Sequence, residues 1–447
     1  MQTDIRIREL RCEFEEFLYR TPIKFGGVAL DRATILNVHC RVETRDGRSA
    51  AGFGSMPLGN VWAYPSKLMK YNETLAAMLR IVERVEKITA GYGEHGHPID
   101  ITHALESAYH LAAEELSREL PEPIPPLATL VCASPFDAAL HDAFGKVHGR
   151  NCFSTYGPEF LANDLGHYLG SEFAGDRLDR YVTPTARPAM PLYHLVGALD
   201  PLTPADVRKP IADGLPETLG DWIRFNGLTH LKIKLNGEDI RWDVERVLGV
   251  NTVAETEQAA RGVASWFYSL DFNEKCGSVG YLIEFLNQVR ERSPQAFDRI
   301  QYIEQPTRRD LKADRANVMH EASKLRPVVI DESLLDLESL NDARDMGYTG
   351  AALKACKGQS QSLLLAAAAK KRGMFLCVQD LTCPGASLIQ SASLAAHIPG
   401  IAAIEANSRQ YCPAANAAWE PRFPGVFHVT NGTMNTSLLD GMGLGAV

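Results

Sequence analysis

The amino-acid sequence predicts an α/β protein in which a smaller α+β domain precedes a (β/α)8 barrel of the TIM type. Two observations support this prediction. From about residue 190 to residue 406, eight short apolar runs alternate with helical patterns. The first 140 residues show a different pattern, with a hairpin and amphipathic helices. Strands that alternate with helices are typical of parallel sheets, and eight such repeats are the number that closes a barrel.

The N-terminal α+β domain is predicted from three segments. TILNVHCRVETRDGRSAAGFG (34–54) contains two alternating runs around Asp46-Gly47, a pair typical of hairpin turns. ESAYHLAAEEL (106–116) and PFDAALHDAFGKVHG (135–149) have the apolar spacing of amphipathic helices. We expect residues 1–140 to form this domain, residues 141–406 to form the barrel domain, and residues 407–447 to pack back on the first domain.

The barrel strands are predicted in chain order from their apolar runs. These runs are MPLYHLV (190–196), HLKIKL (230–235), WFYSLDF (266–272), IQYIEQ (300–305), PVVIDE (327–332), GAALKA (350–355), MFLCVQD (374–380) and IAAIEA (401–406). Helical patterns between them include ADVRKPIADGL (205–215), VGYLIEFLNQVRER (279–292) and QSLLLAAAAKKRG (361–373). Residues 153–188 lack such periodicity and predict loops.

Composition excludes several classes of function. The net charge of −9 and the lack of basic runs interleaved with aromatic residues argue against nucleic-acid binding. No uncharged stretch approaches the roughly 18 residues of a membrane span, and MQTDIRIREL lacks the apolar core of a signal peptide. We therefore expect a cytoplasmic protein whose nine cysteines are reduced.

Charged residues fall at the ends of the predicted strands. In a (β/α)8 barrel the C-terminal ends of all strands open on one rim, where catalytic groups gather. Residues far apart in the sequence are therefore expected to converge there. They are Lys232, Lys234, Asp271, Glu304, Asp331, Lys354, Asp380 and Glu405.

Three of these carboxylates, Asp271, Glu304 and Asp331, come from successive strands. Like charges so close are unfavourable unless they are protonated or bridged by a cation, and a set of oxygen ligands suits Mg²⁺. The barrel strands lack the histidine spacing of a zinc hydrolase. The alternative is that each acid only caps the helix that follows it.

The lysines at the strand ends suggest acid/base chemistry. Lys232 and Lys234 share one face of a strand, about 7 Å apart. Repulsion between two ammonium groups lowers a lysine pKa, so Lys234 could act as a base near neutral pH. Lys354 lies four strands further around the rim, where Asp380 could support it and Glu405 could donate to a substrate. The alternative is that each lysine extends into solvent.

This ordered set resembles the enolase superfamily, in its mandelate racemase and muconate lactonizing enzyme branch. The matching motifs are KIK (232–234), DFN (271–273), IEQP (303–306), IDES (330–333) and LKACK (353–357). SPFDAALHDAFGKVHG (134–149) resembles the helix that joins the family's capping domain to its barrel, and GMGLG (441–445) resembles its C-terminal end. The resemblance covers nearly the whole chain.

The resemblance implies a Mg²⁺-dependent enzyme that removes the α-proton of a small-molecule carboxylate and passes through an enediolate. By resemblance, one Mg²⁺ is held by Asp271, Glu304 and Asp331. Lys234 and Lys354 would then be the acid/base pair, with Lys232 tuning Lys234. A homo-oligomer is also implied.

Two N-terminal segments resemble the capping-domain loops that close over the substrate and set specificity. They are RTPIKFGG (20–27) and GFGSMPLGNVW (52–62). Gly-rich mobile loops suit the exclusion of water from a reaction. The residues expected to contact the substrate are Phe25, Met56, Asn273 and Glu332.

Several reactions are consistent with this site. Lys354 on strand six resembles the muconate lactonizing type, whereas Asp380 on strand seven departs from it. We favour a dehydratase of a hydroxylated (sugar) acid, because the polar rim groups Asp380, Glu405, Asn273 and His194 suit such a substrate. A racemase, epimerase or cycloisomerase acting on a carboxylate such as an amino-acid derivative is the first alternative. A metal-binding barrel without catalysis is the second.

Overall fold

The computed structural model describes residues 1–25 and 28–445, and the side chains of residues 1–23 and 29–445. Its N-terminal part contains an antiparallel sheet of strands β1 (Ile5–Phe25), β2 (Val28–Thr44) and β3 (Ser49–Pro57), in that order. Thr44 and Arg48 close the predicted hairpin around Gly47, whose φ is 86°. Strand β1 was not predicted, because its glutamates obscure the alternation that marks a strand.

Four helices cover one side of this sheet: α1 (Asn60–Ala63), α2 (Tyr71–Ala90), α3 (Pro98–Ser117) and α4 (Pro126–Val147). Helix α4 lies so close to β3 that only glycine fits at two positions. A Cβ atom at Gly54 would lie 1.9 Å from the Pro135 carbonyl oxygen, and one at Gly52 would lie 2.1 Å from that of Ala139. These glycines therefore fix the distance between sheet and helix.

The barrel prediction is confirmed. Eight parallel strands pair in chain order, and the eighth also pairs with the first, so the sheet is closed. A short final strand, β12 (Thr433–Asn435), pairs antiparallel with the beginning of the first barrel strand. The eight barrel strands are β4 (Ala189–Val196), β5 (His230–Lys234), β6 (Phe267–Asp271), β7 (Ile300–Glu304), β8 (Val328–Ile330), β9 (Gly350–Leu353), β10 (Phe375–Val378) and β11 (Ile404–Glu405).

Helices connect the strands and surround the barrel. They are α5 (Leu165–Leu169), α6 (Leu219–Asn226), α7 (Ile240–Arg261), α8 (Val279–Arg292), α9 (Pro294–Asp298), α10 (His320–Leu325), α11 (Leu337–Asp345), α12 (Gln359–Lys371), α13 (Ala386–His397), α14 (Ser408–Tyr411) and α15 (Pro424–Phe427). The helix predicted over 205–215 was wrong. That segment is a loop, because Pro210 cannot continue a helix and Ala212 has a φ of 57°.

Helix α4 also contacts the barrel directly. The Asp137 carboxylate accepts hydrogen bonds from the backbone nitrogen and the hydroxyl of Ser360, each at 2.7 Å, at the first turn of α12. The C-terminal residues return to the same region, since the Leu444 nitrogen donates to Asp142 of α4 at 3.0 Å. The division of the chain at residues 140 and 406 stays a prediction.

Within the part of the chain that the structure describes, no helix has both the length and the apolar character required to cross a membrane.

Candidate active site

The alternation of side chains along the barrel strands defines the site. Residues two positions apart on a strand face the same side. Inside the barrel, six strands contribute one buried layer: Tyr193, Tyr302, Val329, Ala352, Cys377 and Ala403. Two residues further along each strand, at the rim, stand Leu195, Glu304, Asp331, Lys354, Gln379 and Glu405. Four of these rim residues, Glu304, Asp331, Lys354 and Glu405, were predicted as site residues, and each stands one layer above the buried barrel core. Asp380 is not in this row.

Lys232 lies among three carboxylates. Its Nζ lies 2.9 Å from Glu304 Oε1, 2.8 Å from Glu405 Oε2 and 3.1 Å from Asp271 Oδ2, and the residue is only 1% exposed. Burial opposes the charge on Lys232. The three carboxylates outweigh this effect and hold its pKa well above the ordinary value. A lysine is tolerated in this apolar strand because its charge is paired.

Lys234 is held by the end of the neighbouring strand. Its Nζ donates to Asp271 Oδ2 and to Asn273 Oδ1, the latter at 2.9 Å. The Asn273 nitrogen in turn donates to Asp271 Oδ1 at 2.8 Å, which requires a φ of 43° at Asn273. Burial raises the pKa of Asp271, but Lys234 and Lys232 outweigh it and keep that pKa below its usual range.

Lys354 contacts both domains. Its Nζ lies 2.8 Å from Asp331 Oδ2 and 4.3 Å from the centre of the Trp62 ring. A cation so placed over an aromatic face is attracted by the ring. Burial lowers the pKa of Lys354, and Asp331 more than compensates, so that its pKa is raised. Lys357 pairs with the other oxygen of Asp331 at 3.2 Å.

The two candidate acid/base lysines stand on opposite sides of the rim. Lys234 ends β5 and Lys354 follows β9, and these strands are four positions apart in a closed sheet of eight. The three predicted metal-binding carboxylates lie on the strands between them. A planar group held at this rim would present one face to each lysine.

Gln379, which the sequence analysis missed, occupies the strand-seven position at the rim. Its side-chain nitrogen donates to Glu304 Oε2 and lies 3.2 Å from the Tyr302 hydroxyl. The period of two from Phe375 through Cys377 could have identified it. Asp380, one residue later, accepts hydrogen bonds from the backbone nitrogens of Thr382 at 3.0 Å and Asn407 at 3.1 Å. Asp380 therefore shapes two rim loops.

Of the residues expected to contact the substrate, some lie in the rim network and others do not. Glu332 Oε1 accepts from Trp62 Nε1 at 3.1 Å and from Asn273 Nδ2 at 3.3 Å, so both Glu332 and Asn273 belong to the rim network. Met56 is buried, with its sulfur 3.6 Å from that of Cys383. The side chain of Phe25 lies outside the described residues. His194 packs against Trp222 of α6, with ring centres 5.2 Å apart, and does not join the rim network.

The rim fits a divalent cation by charge and by donor chemistry. Counted with every group ionised, the buried charged groups at and beside the rim carry a formal excess of two negative charges. They are six carboxylates and four lysines: Asp271, Glu304, Asp331, Glu332, Asp380, Glu405, Lys232, Lys234, Lys354 and Lys357. Burial, followed by repulsion from Asp271, raises the pKa of Glu304 well above its usual value, and an added cation would relieve this strain. Oxygen donors of this kind suit Mg²⁺.

The predicted metal-binding carboxylates Asp271, Glu304 and Asp331 do not surround a common position that an ion could occupy. Among residues 1–25 and 28–445, no three acidic, histidine or cysteine groups are already clustered as a metal site. The ammonium of Lys232 lies between Asp271 and Glu304, 3.1 Å from one and 2.8 Å from the other. To hold an ion together, Asp271, Glu304 and Asp331 must exchange lysine contacts for contacts with the ion.

We expect Mg²⁺ to raise the melting temperature of the protein and EDTA to reverse the effect. A ligand at a hundred times its Kd stabilises the folded state by about 2.7 kcal/mol. Differential scanning calorimetry measures the shift, and Asp331→Asn should abolish most of it. Asp342→Asn on the surface of α11 is the control. An equal shift in Asp331→Asn would place the ion elsewhere.

A cavity of about 510 Å³ leads from the surface to this network. It lies between the N-terminal domain and the loops after β6, β7 and β8. Trp62, Asn273 and Glu332 line its inner part, and Tyr64, Tyr71 and Arg309 line its walls. The volume is within the range of small-molecule sites, so this cavity can admit a substrate to the rim.

Arg309 anchors Trp62 over the rim. Its Nη1 and Nη2 each donate to the Trp62 carbonyl at 3.1 Å, while Nε and Nη2 bind the Glu274 carboxylate at 2.8 and 2.6 Å. This residue was also missed, since docking of one domain on another leaves no periodic signal in the sequence. The N-terminal domain is thus fixed at the point where it covers Lys354.

Arg309→Met is expected to loosen the segment around Trp62. Loss of hydrogen bonds to a charged group should cost about 1–3 kcal/mol of unfolding free energy. Hydrogen–deuterium exchange of residues 59–64 should rise. Arg308→Met is the matched control, because Arg308 is exposed and forms no ion pair with any residue that the structure describes. Equal exchange in both variants would contradict the anchoring role.

Comparisons with known proteins bear on the family and the fold of this chain. Residues 216–447 match the family model described as enolase C-terminal domain-like. No curated protein matches the chain.

Three solved structures illustrate the similarity of fold. An enolase from Bradyrhizobium complexed with magnesium and mandelic acid is 16% identical, with 100% of this chain and 97% of that chain covered and a TM-score of 0.64. A racemase from Streptomyces coelicolor A3(2) with bound magnesium is 17% identical, with 99% and 97% covered and a TM-score of 0.61. A dipeptide epimerase from Enterococcus faecalis V583, complexed with Mg and the dipeptide L-Leu-L-Tyr, is 16% identical, with 89% of each chain covered and a TM-score of 0.59.

Proposed function

The chain belongs to the enolase superfamily, as a member of the enolase C-terminal domain-like family, and from this premise we propose that it is a racemase or epimerase of a small-molecule carboxylate. The observation that carries the proposal is the placement of Lys234 and Lys354 on opposite sides of one rim, with Asp271, Glu304 and Asp331 between them. Proton removal on one face and proton delivery on the other inverts a carbon atom.

Each residue of the site has a distinct task in this proposal. Asp271, Glu304 and Asp331 would hold Mg²⁺, and the bound ion would draw electron density from the substrate carboxylate and make the α-proton more acidic. Lys234, oriented by Asn273, takes or gives the proton on one face. Lys354, beneath the Trp62 ring, serves the other face. Trp62 keeps water from Lys354.

The polar groups that favoured dehydration in the sequence analysis are engaged within the protein. Glu405 pairs with Lys232, Asp380 accepts from two backbone amides, and His194 packs on Trp222. Asn273 accepts from Lys234 and donates to Glu332, and His194 lies outside the rim network. The polar groups at the rim are thus engaged with each other and not directed toward the hydroxyl groups of a sugar acid. We therefore place epimerisation ahead of dehydration, and both ahead of a barrel without catalysis. A cytoplasmic homo-oligomer is part of the same proposal.

Proton NMR in D₂O with Mg²⁺ tests the proposal. Hydroxy acids, acid sugars, N-acyl amino acids and dipeptides are screened for exchange of the α-proton. Exchange with inversion and without loss of a β-substituent is the expected result. Formation of a keto acid would assign a dehydratase instead. If no compound exchanges, although Mg²⁺ raises the melting temperature, the proposed proton transfer fails for these substrate classes.

A further inference from the structure

A second cavity, of about 620 Å³, lies on the other side of the rim. The long loop between β4 and α6 forms one wall, and residues 20–22 of the N-terminal domain form another. Its surface is mostly apolar, with Leu199, Val207, Ile211, Leu219 and Trp222 among the lining residues. Small-molecule sites have this size and this apolar character, with a few polar groups that fix the ligand.

Two residues that line this cavity each have one buried polar atom without a hydrogen-bond partner in the described part of the chain. His194 and Gln410 line it, and both are buried. His194 Nδ1 and Gln410 Oε1 have no hydrogen-bond partner among the described residues. A buried polar atom without a partner costs about 1–3 kcal/mol, so such atoms usually indicate an additional partner. Burial, together with the nearby Arg409, lowers the pKa of His194 well below its usual value, so the ring is neutral.

This cavity is separate from the catalytic lysines. Leu195 and Tyr411 line it, and both pack in one buried cluster with Ile23 and Leu30 of the N-terminal sheet. None of the candidate catalytic lysines or metal-binding carboxylates lines the cavity. A ligand bound in it would therefore lie apart from Lys234 and Lys354.

Some charged side chains at the cavity have partners within the described part of the protein, and others do not. Arg20 forms a two-point ion pair with Asp213, and the Glu217 carboxylate accepts from the backbone nitrogens of Ile211 and Ala212. Arg208 and Lys209 also line the cavity, and neither forms an ion pair within the described ranges. Two cationic groups are thus available to a ligand.

We propose that this cavity binds a small amphipathic organic anion at a site distinct from the reaction centre. The apolar body of the ligand packs against Trp222 and Leu199. Its inner polar end meets His194 and Gln410, and its anionic group meets Arg208 and Lys209. Because the walls come from both domains, an occupied cavity also holds the N-terminal domain against the barrel.

The probe 8-anilinonaphthalene-1-sulfonate, an aromatic amine with a sulfonate group, tests this site. Isothermal titration calorimetry with the full chain in Mg²⁺ should show about one probe per chain, and excitation of tryptophan should transfer energy to the probe. Leu199→Glu and the double change Arg208→Glu/Lys209→Glu should each weaken binding by about tenfold or more. Trp222→Phe should reduce the energy transfer.

Matched variants show whether the probe binds in this cavity or elsewhere on the protein. Leu199 is 60% exposed and Leu438 is 58% exposed, so Leu438→Glu is a control of equal exposure that should leave probe binding unchanged. Melting temperatures without probe verify that each variant folds. The proposal is overturned if the wild type binds no probe, if Leu199→Glu binds as tightly as wild type, or if only Lys67→Glu in the first cavity weakens binding.

Discussion

Lys234→Ala is expected to lower the rate of α-proton exchange by about 10²–10⁴-fold for one stereoisomer of the substrate, the usual contribution of a general acid or base. Lys354→Ala should have the same effect on the other stereoisomer. The reason is that each lysine reaches only one face of a planar group held at the rim. The measurement is proton NMR in D₂O with each pure stereoisomer of the substrate identified by the screen.

The control for both lysines is Lys312→Ala, which removes an exposed ammonium from the surface. Its exchange rates should equal those of the wild type. Added primary amines should restore part of the activity of Lys234→Ala, because a free amine can replace the missing base. If both stereoisomers exchange at normal rates in Lys234→Ala, Lys234 is not the base.

Lys232→Met is expected to destabilise the fold by about 3–5 kcal/mol in the presence of EDTA, because Glu304, Glu405 and Asp271 would remain buried without their shared cation. Mg²⁺ should restore part of the loss by supplying positive charge to two of these carboxylates. Urea unfolding at pH 7, with and without Mg²⁺, measures both effects.

Lys324→Met is the corresponding control, since Lys324 and Glu321 form an ion pair that is mostly exposed. Exposed pairs contribute about 0–1 kcal/mol. A loss in Lys232→Met no larger than in this control would mean that the three carboxylates are neutral in the folded protein. The charge of Lys232 would then not be needed to stabilise these carboxylates.

The barrel could be predicted from the sequence because its strands are short apolar runs between helical patterns, and seven of the eight runs end at or next to a charged residue. The convergence of Lys234, Asp271 and Lys354 follows from that topology alone. The face of each residue also follows from the period of two, which distinguishes Gln379 from Asp380. The same period that puts Lys232 and Lys234 on one face of β5 puts Cys377 and Gln379 on one face of β10 and Asp380 on the other.

Other features could not be predicted because they depend on contacts between distant segments. The position of Trp62 over Lys354 results from the docking of one domain on another, which no local pattern encodes. The loop over residues 205–215 has apolar residues at helical spacing, but Pro210 prevents a helix. Strand β1 could not be predicted because its glutamates, including the adjacent Glu15 and Glu16, interrupt the alternation of apolar and polar residues.

The contact between Asp137 and Ser360 has a consequence for how the two domains can be recombined. The N-terminal turn of α12, only a few residues after Lys354, has its backbone nitrogen satisfied by a carboxylate of the other domain. A barrel grafted onto a foreign partner would lose this cap unless the partner supplied an acid at the same place. We therefore expect the two domains to unfold in a single transition.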